Sequence, residues 1–141
     1  MEDAEMAPAG AGEHTRPSAG TVSVGIEHVR LSYHYLDIGD IDGYGSLFTS
    51  DAVLHYPGMA PIRGRRAIES FRASRPVRRH TLHTLTVTHG EVVTVGDIAV
   101  AGPNGGSTNT AFVDSFTLSD YGLIRTQKTD FGSRGIPRTA G

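Results

Sequence analysis

Asp114 sits at the centre of F-V-D-S-F, residues 112–116. Strand alternation puts Phe112, Asp114, Phe116 and Leu118 on one face. A carboxyl group among phenylalanines loses hydration, which disfavours its charged form and raises its pKa. An acid kept neutral in this way holds or delivers a proton. The alternative is a structural aspartate, paired with a basic side chain or the backbone. Tyr56, just before Pro57 and Gly58, is the second candidate. A phenol of pKa ~10 is a poor base at neutral pH but a usable donor; otherwise Tyr56 is an aromatic wall.

Histidine is the natural source of a base, because its pKa lies near working pH. Regular alternation puts His83 on the face of Leu85 and Val87, looking inward, and His80 with Leu82 on the opposite face. His55 adjoins Tyr56 and points away from it, while His89 lies at a turn and His34 on a helix. In the last strand Arg125, Gln127 and Thr129 share one face, and Thr126, Lys128 and Asp130 the other. Arg125 and Gln127 would orient a substrate carbonyl or carboxylate, or else belong to ordinary sheet surface or a dimer contact. Phe48, Phe112 and Phe116 are expected as pocket walls.

Other chemistries are disfavoured. The chain has no cysteine, which removes disulfides, thiolate metal sites and cysteine nucleophiles. His80 and His83 fall on opposite strand faces, with no suitably spaced carboxylate for a metal. The glycine-rich 102–106 lacks the Lys-Ser/Thr and following helix of a phosphate loop. Neither a nucleotide fingerprint nor a nucleophile elbow occurs, so no cofactor is expected. With a net charge of −2 there is no overall field for nucleic acid or an anionic membrane. Arg72, Arg75, Arg78 and Arg79 form a local basic run, which reads as a solvated helix end; the alternative is a site for an anionic ligand group. The acidic N-terminus does not read as a signal peptide, and no apolar run reaches the ~18 residues of a membrane span. A soluble cytoplasmic protein is the expectation.

At 141 residues the chain suits one domain with one core. Residues 1–21 and 133–141 read as tails around a domain over 22–132. Ile26, Val29, Tyr33 and Leu36 recur at helical spacing and predict a helix over 23–38, stopped by Gly39. Asp40 caps a second short helix carrying Ile41, Tyr44, Leu47 and Phe48, and Asp51 ends it. Residues 52–56 predict a strand, and Gly64 precedes a third helix limited by Pro76. Strands follow over 80–88, 91–101, 108–118 and 123–131. Helices first and antiparallel strands later predict an α+β fold: a cone-shaped cup, three helices on a curved antiparallel or mixed sheet with an internal pocket.

These residues carry a family likeness. G-D-I-D-G at 39–43, L-F at 47–48, D-A-V at 51–53, G-x-x-A-I at 64–68, F-V-D-S-F at 112–116 and G-L-I at 122–124 resemble the superfamily of nuclear transport factor 2, ketosteroid isomerase and SnoaL-like polyketide cyclases. The likeness spans about 26–132, and the loop at 55–64 looks most like SnoaL-like proteins of aromatic polyketide pathways. It implies the α+β barrel, with an acid at Asp114 where the isomerases keep their oxyanion-stabilising carboxyl. The isomerases' carboxylate base is replaced by Tyr56, and their first-helix tyrosine falls on Ser32. The catalytic aspartate of the cyclases falls nearest Thr129, with Asp130 one residue out of phase. The resemblance therefore implies a cofactor-free tailoring enzyme, performing proton-transfer cyclisation of an apolar polyketide intermediate, with Asp114, Tyr56 and His83 in catalytic roles. A non-catalytic binder, or a dehydratase, epoxide hydrolase or isomerase of the same fold, is the alternative. Small open sheets of this kind usually pair, so a homodimer is expected.

Overall fold

The computed structural model describes residues 18–76 and 78–132. The tails expected at either end otherwise lie outside the described residues. The first helix, α1, runs over Ala19–Ile38, four residues earlier than its apolar spacing indicates, because Ser18 caps it by accepting from the Thr21 backbone N–H. At its other end Gly39 adopts φ 78°. There the Gly39 N–H bonds to the Leu36 carbonyl and the Asp40 N–H to the Tyr35 carbonyl, a Schellman stop that needs the left-handed residue. The second helix, α2, spans Ile41–Gly45, capped by Asp40. It ends sooner than expected: Phe48 already belongs to β1, Phe48–His55. After a two-residue β2, Ile62–Arg63, comes α3, Arg65–Ala73. Then follow β3 (Arg79–Thr88), β4 (Glu91–Ala101), β5 (Ser107–Leu118) and β6 (Ile124–Phe131).

The six strands form one sheet in the order β2-β1-β6-β5-β4-β3. Only the β1–β6 pairing is parallel. The sheet curves without closing, so the expected α+β layering stands while the barrel remains open. Between helices and sheet lies a core built from Val29, Tyr44, Phe48, Leu54, Ile68 and Phe116 among others, all fully buried. Gly96 permits the curvature: a Cβ there would fall 2.2 Å from the Thr81 carbonyl oxygen and 3.0 Å from the Phe112 ring. A strand glycine of this kind marks a close approach that any side chain would block.

Two β-bulges set which residues look inward. In β3, Leu82 faces Gly96 and Thr84 faces Val95, so His83 is an extra residue without a partner. At the start of β6, Ile124 faces Leu118 and Thr126 faces Thr117, so Arg125 is the extra one. A bulge shifts the alternation by one residue. His80 and Leu82 before the bulge therefore share the inner face with Leu85 and Val87 after it.

Candidate functional site

Asp114 is 4% exposed, on the inner face of β5. The Tyr33 hydroxyl donates to its Oδ2 at 2.5 Å, and the Thr129 hydroxyl to its Oδ1 at 2.5 Å. Tyr33 Oη also lies 2.6 Å from Thr94 Oγ1. Because the phenol spends its one hydrogen on Asp114, Thr94 is the donor in that contact. The result is a buried chain, Thr94 to Tyr33 to Asp114, met from the other side by Thr129. Burial pushes the Asp114 carboxyl above its ordinary value, against the opposing hydrogen bonds of Thr129 and Tyr33 and the charge of Arg72. Tyr33 is pushed well above the usual phenol range, first by burial and then by the Asp114 charge. Gln127, buried on β6, adds a weaker opposing effect on Asp114, and its own buried Oε1 has no partner among the described residues.

The histidine beside this network is His80. Its side chain is only 7% exposed, with its ring 5.0 Å from that of Tyr33 and 5.8 Å from that of Phe112. Asp37, at the end of α1, holds it: His80 Nδ1 lies 2.6 Å from Asp37 Oδ1, and the His80 backbone N–H bonds to both carboxylate oxygens at 3.1 Å. The neutral imidazole therefore carries its hydrogen on Nδ1 and keeps the Nε2 lone pair. Burial lowers the His80 pKa; Asp37 opposes this, and Arg72 adds to it. A neutral imidazole oriented by a carboxylate is the arrangement of a general base.

His80 lines a cavity of about 180 Å³ together with Leu36, Ile41, Pro76, Arg72 and Arg78. Arg72 donates from Nε to the Tyr44 hydroxyl at 3.0 Å, and its guanidinium lies over the rings of Tyr44, Tyr56 and Phe71. Tyr56 is 9% exposed, its ring edge-on to Phe71 and Phe131, and its hydroxyl accepts from Arg78 at 3.3 Å. It lines a second cavity of about 310 Å³, which shares Arg75 and Arg78 with the first. Three of the four arginines in the basic run are thus not solvated: Arg72 and Arg75 lie against aromatic rings and Arg78 reaches the Tyr56 hydroxyl, while Arg79 is exposed.

Several expectations need correction. His83 is the bulge residue; its side chain is 52% exposed and bonds to Asp97 on the outer face, so it does not enter the cup. Arg125, the other bulge residue, is exposed, while Gln127 and Thr129 point inward. Phe48, Phe112 and Phe116 are completely buried core packing, and none of them lines the described cavities. Nor does Asp114, which stands behind His80 and Tyr33. Tyr33 and His80 escaped the alternation and register arguments. The signal available for His80 was its phase with Leu82, another inward apolar residue.

Among the described residues no group of three His, Asp or Glu side chains is placed to hold a metal ion, and no helix is long and apolar enough to cross a membrane. No curated protein sequence matches the chain. Solved structures do resemble it. SalBIII, an epoxide hydrolase/cyclase-like enzyme in pyran ring formation in polyether salinomycin, aligns with a TM-score of 0.71 and 21% identity, over 79% of this chain and 93% of its own. RV0760c from Mycobacterium tuberculosis, in complex with estradiol-17beta-hemisuccinate, gives 0.70 and 14%, over 79% and 95%. TerC, co-crystallised with polyporic acid, gives 0.69 and 24%, over 79% and 93%. At these identities the likeness is one of fold. In sequence, residues 29–126 match the SnoaL-like domain, so the chain belongs to the SnoaL-like family.

Proposed function

We propose that this protein is a cofactor-free acid–base enzyme acting on an apolar, oxygenated molecule of the polyketide type. His80 removes a proton next to a carbonyl, and the resulting enolate closes a ring by aldol-type attack or a related step. Arg72, in the same cavity wall, stabilises the developing oxyanion. The Thr94–Tyr33–Asp114–Thr129 chain is a positioning network: Asp114 accepts from Tyr33 and Thr129 and so fixes Tyr33, and the Tyr33 ring supports the imidazole. Tyr56 supplies an aromatic wall and a hydroxyl already engaged by Arg78. The observation that carries this reading is the buried imidazole held by Asp37 at the edge of a cavity that also contains Arg72. The ligands of RV0760c and TerC, both named as small organic molecules, are in keeping with it. The working form in this proposal is a cytoplasmic homodimer, paired through the outer sheet face where Val93, Val95 and Val113 lie partly exposed.

The test is proton abstraction itself. 2-Tetralone, an apolar bicyclic ketone, is incubated in D₂O with the protein, and exchange next to the carbonyl is followed by NMR. Acceleration by the wild type and a fall of about 10²-fold or more in His80→Gln is the expected result. Equal exchange with and without protein overturns the enzyme reading. A second reading, a non-catalytic binder, is favoured by one observation: both Asp114 oxygens are already taken by protein donors. Saturable binding of the ketone without exchange is its signature.

A further inference from the structure

The cavity lined by His80 and the one lined by Tyr56 share Arg75 and Arg78, and the former also contains Arg72. Neither wall includes an aspartate or glutamate. Among the described residues, no carboxylate lies within ion-pair distance of these three arginines. Arg75 lies over Phe71 at 4.5 Å and over Tyr56 at 5.3 Å, and its one side-chain hydrogen bond among the described residues is a long one, 3.6 Å, to the Met59 sulfur. Arg78 gives one N–H to Tyr56, and its buried Nε has no partner among the described residues. Two guanidiniums over aromatic rings and a third on the Tyr56 hydroxyl, with a buried N–H unspent, make a site short of one negative charge.

We propose that Arg75 and Arg78 bind a carboxylate carried by the substrate, so that the protein takes a free organic acid rather than its ester. Resting on the acid–base reading above, this names the substrate class of the same site. A guanidinium stacked on a ring keeps its in-plane N–H edge open, and that edge matches a carboxylate bidentately. Size supports the placement. A cavity of about 180 Å³ is small for a multi-ring molecule, and one of about 310 Å³ is at the lower end of the ~300–1,000 Å³ usual for ligand sites. A ligand spanning both passes the Arg75 and Arg78 side chains. Its ketone then lies on the His80 side, and its apolar body against Tyr56, Ile98, Val100 and Phe131.

The experiment titrates the full chain with 2-naphthoate, methyl 2-naphthoate and 2-naphthyl phosphate, followed by calorimetry. None of these probes has an exchangeable proton beside a ketone, so the result is independent of His80 chemistry. If exchange of 2-tetralone fails while the acid preference holds, only the catalytic reading falls. The expected result is that the carboxylate binds about tenfold or more tighter than the ester, with the gap collapsing near ~1 M salt. Arg75→Gln and Arg78→Gln, checked for folding by thermal melts, should each shrink the gap to about threefold or less, with Arg78→Lys intermediate for want of the fork. Salt and ester comparisons on the wild type keep the test decisive if a variant fails to fold. Ester bound as tightly as acid, phosphate bound more tightly than carboxylate, no binding of the acid, or folded glutamine variants that keep the gap would each overturn the proposal.

Discussion

Replacing Asp37 by asparagine isolates what the carboxylate does for His80. In the wild type it accepts from Nδ1 at 2.6 Å and from the His80 backbone N–H at 3.1 Å to each oxygen. The amide of Asp37→Asn would keep one acceptor oxygen and lose the charge. Charge-assisted hydrogen bonds of this kind are worth about 1.5–3 kcal/mol. Asp37 is 24% exposed, so solvent screening brings the expected loss nearer ~1–2 kcal/mol, or about 4–8 °C in Tm. The pH dependence is the sharper readout. Burial already puts the folded-state pKa of His80 below its ordinary 6.5, and Asp37 works against that shift. Removing the carboxylate must lower it further. A base with a depressed folded pKa binds its proton more readily when unfolded, so stability is lost as pH falls below about 6.5. The variant's folded pKa is lower still, so its Tm deficit should widen on acidification. Histidine ¹⁵N chemical shifts give both the pKa and the tautomer: the wild type should show Nδ1–H, and the variant a mixture with an acid limb at lower pH. A His80 pKa that is unchanged or higher in Asp37→Asn refutes the reasoning, because the carboxylate would then not be the group holding that proton.

Two further outcomes follow from the same geometry. Asp114 has a raised folded pKa, so the wild type's advantage over Asp114→Asn is greatest below about pH 3.8 and shrinks as pH rises through the folded value; melting both proteins from about pH 3 to 8 should show the variant gaining on the wild type, and a constant difference would mean Asp114 does not titrate in the fold. His83→Ala, on the exposed outer face, should change stability by about 0.5 kcal/mol or less and leave ketone exchange at the wild-type rate, and a large loss of exchange would restore His83 as the base.

The helix–strand order and the inward face of β5 were legible because each rests on an uninterrupted local pattern. Asp114 lies between Phe112 and Phe116, and no register change intervenes. Where a strand carries one residue too many, alternation misleads. His83 and Arg125 both look inward on paper, and both are bulges in the fold. Nothing local to those residues announces the insertion; it is visible only from the pairing with β4 and β5. Helix phase put Tyr33 in the inward stripe with Val29, but it did not reveal what the hydroxyl would meet. That is decided by how α1 lies across the sheet, with Gly25 seated on Leu118, which is a tertiary fact. The basic run was misread because charge alone does not reveal rings from several different elements closing around it.

Of the six described strands the last to be synthesised, β6, lies between β1 and β5 rather than at a border of the sheet. Until it leaves the ribosome, both of those neighbours present unsatisfied backbone edges, and Asp114 lacks the Thr129 hydroxyl. The β1–β6 pairing also joins opposite ends of the domain, and pairings so distant along the chain form slowly. The nascent protein is therefore most open to clumping just before β6 emerges, and a truncation inside β6 should behave as a chaperone client rather than as a weakened enzyme.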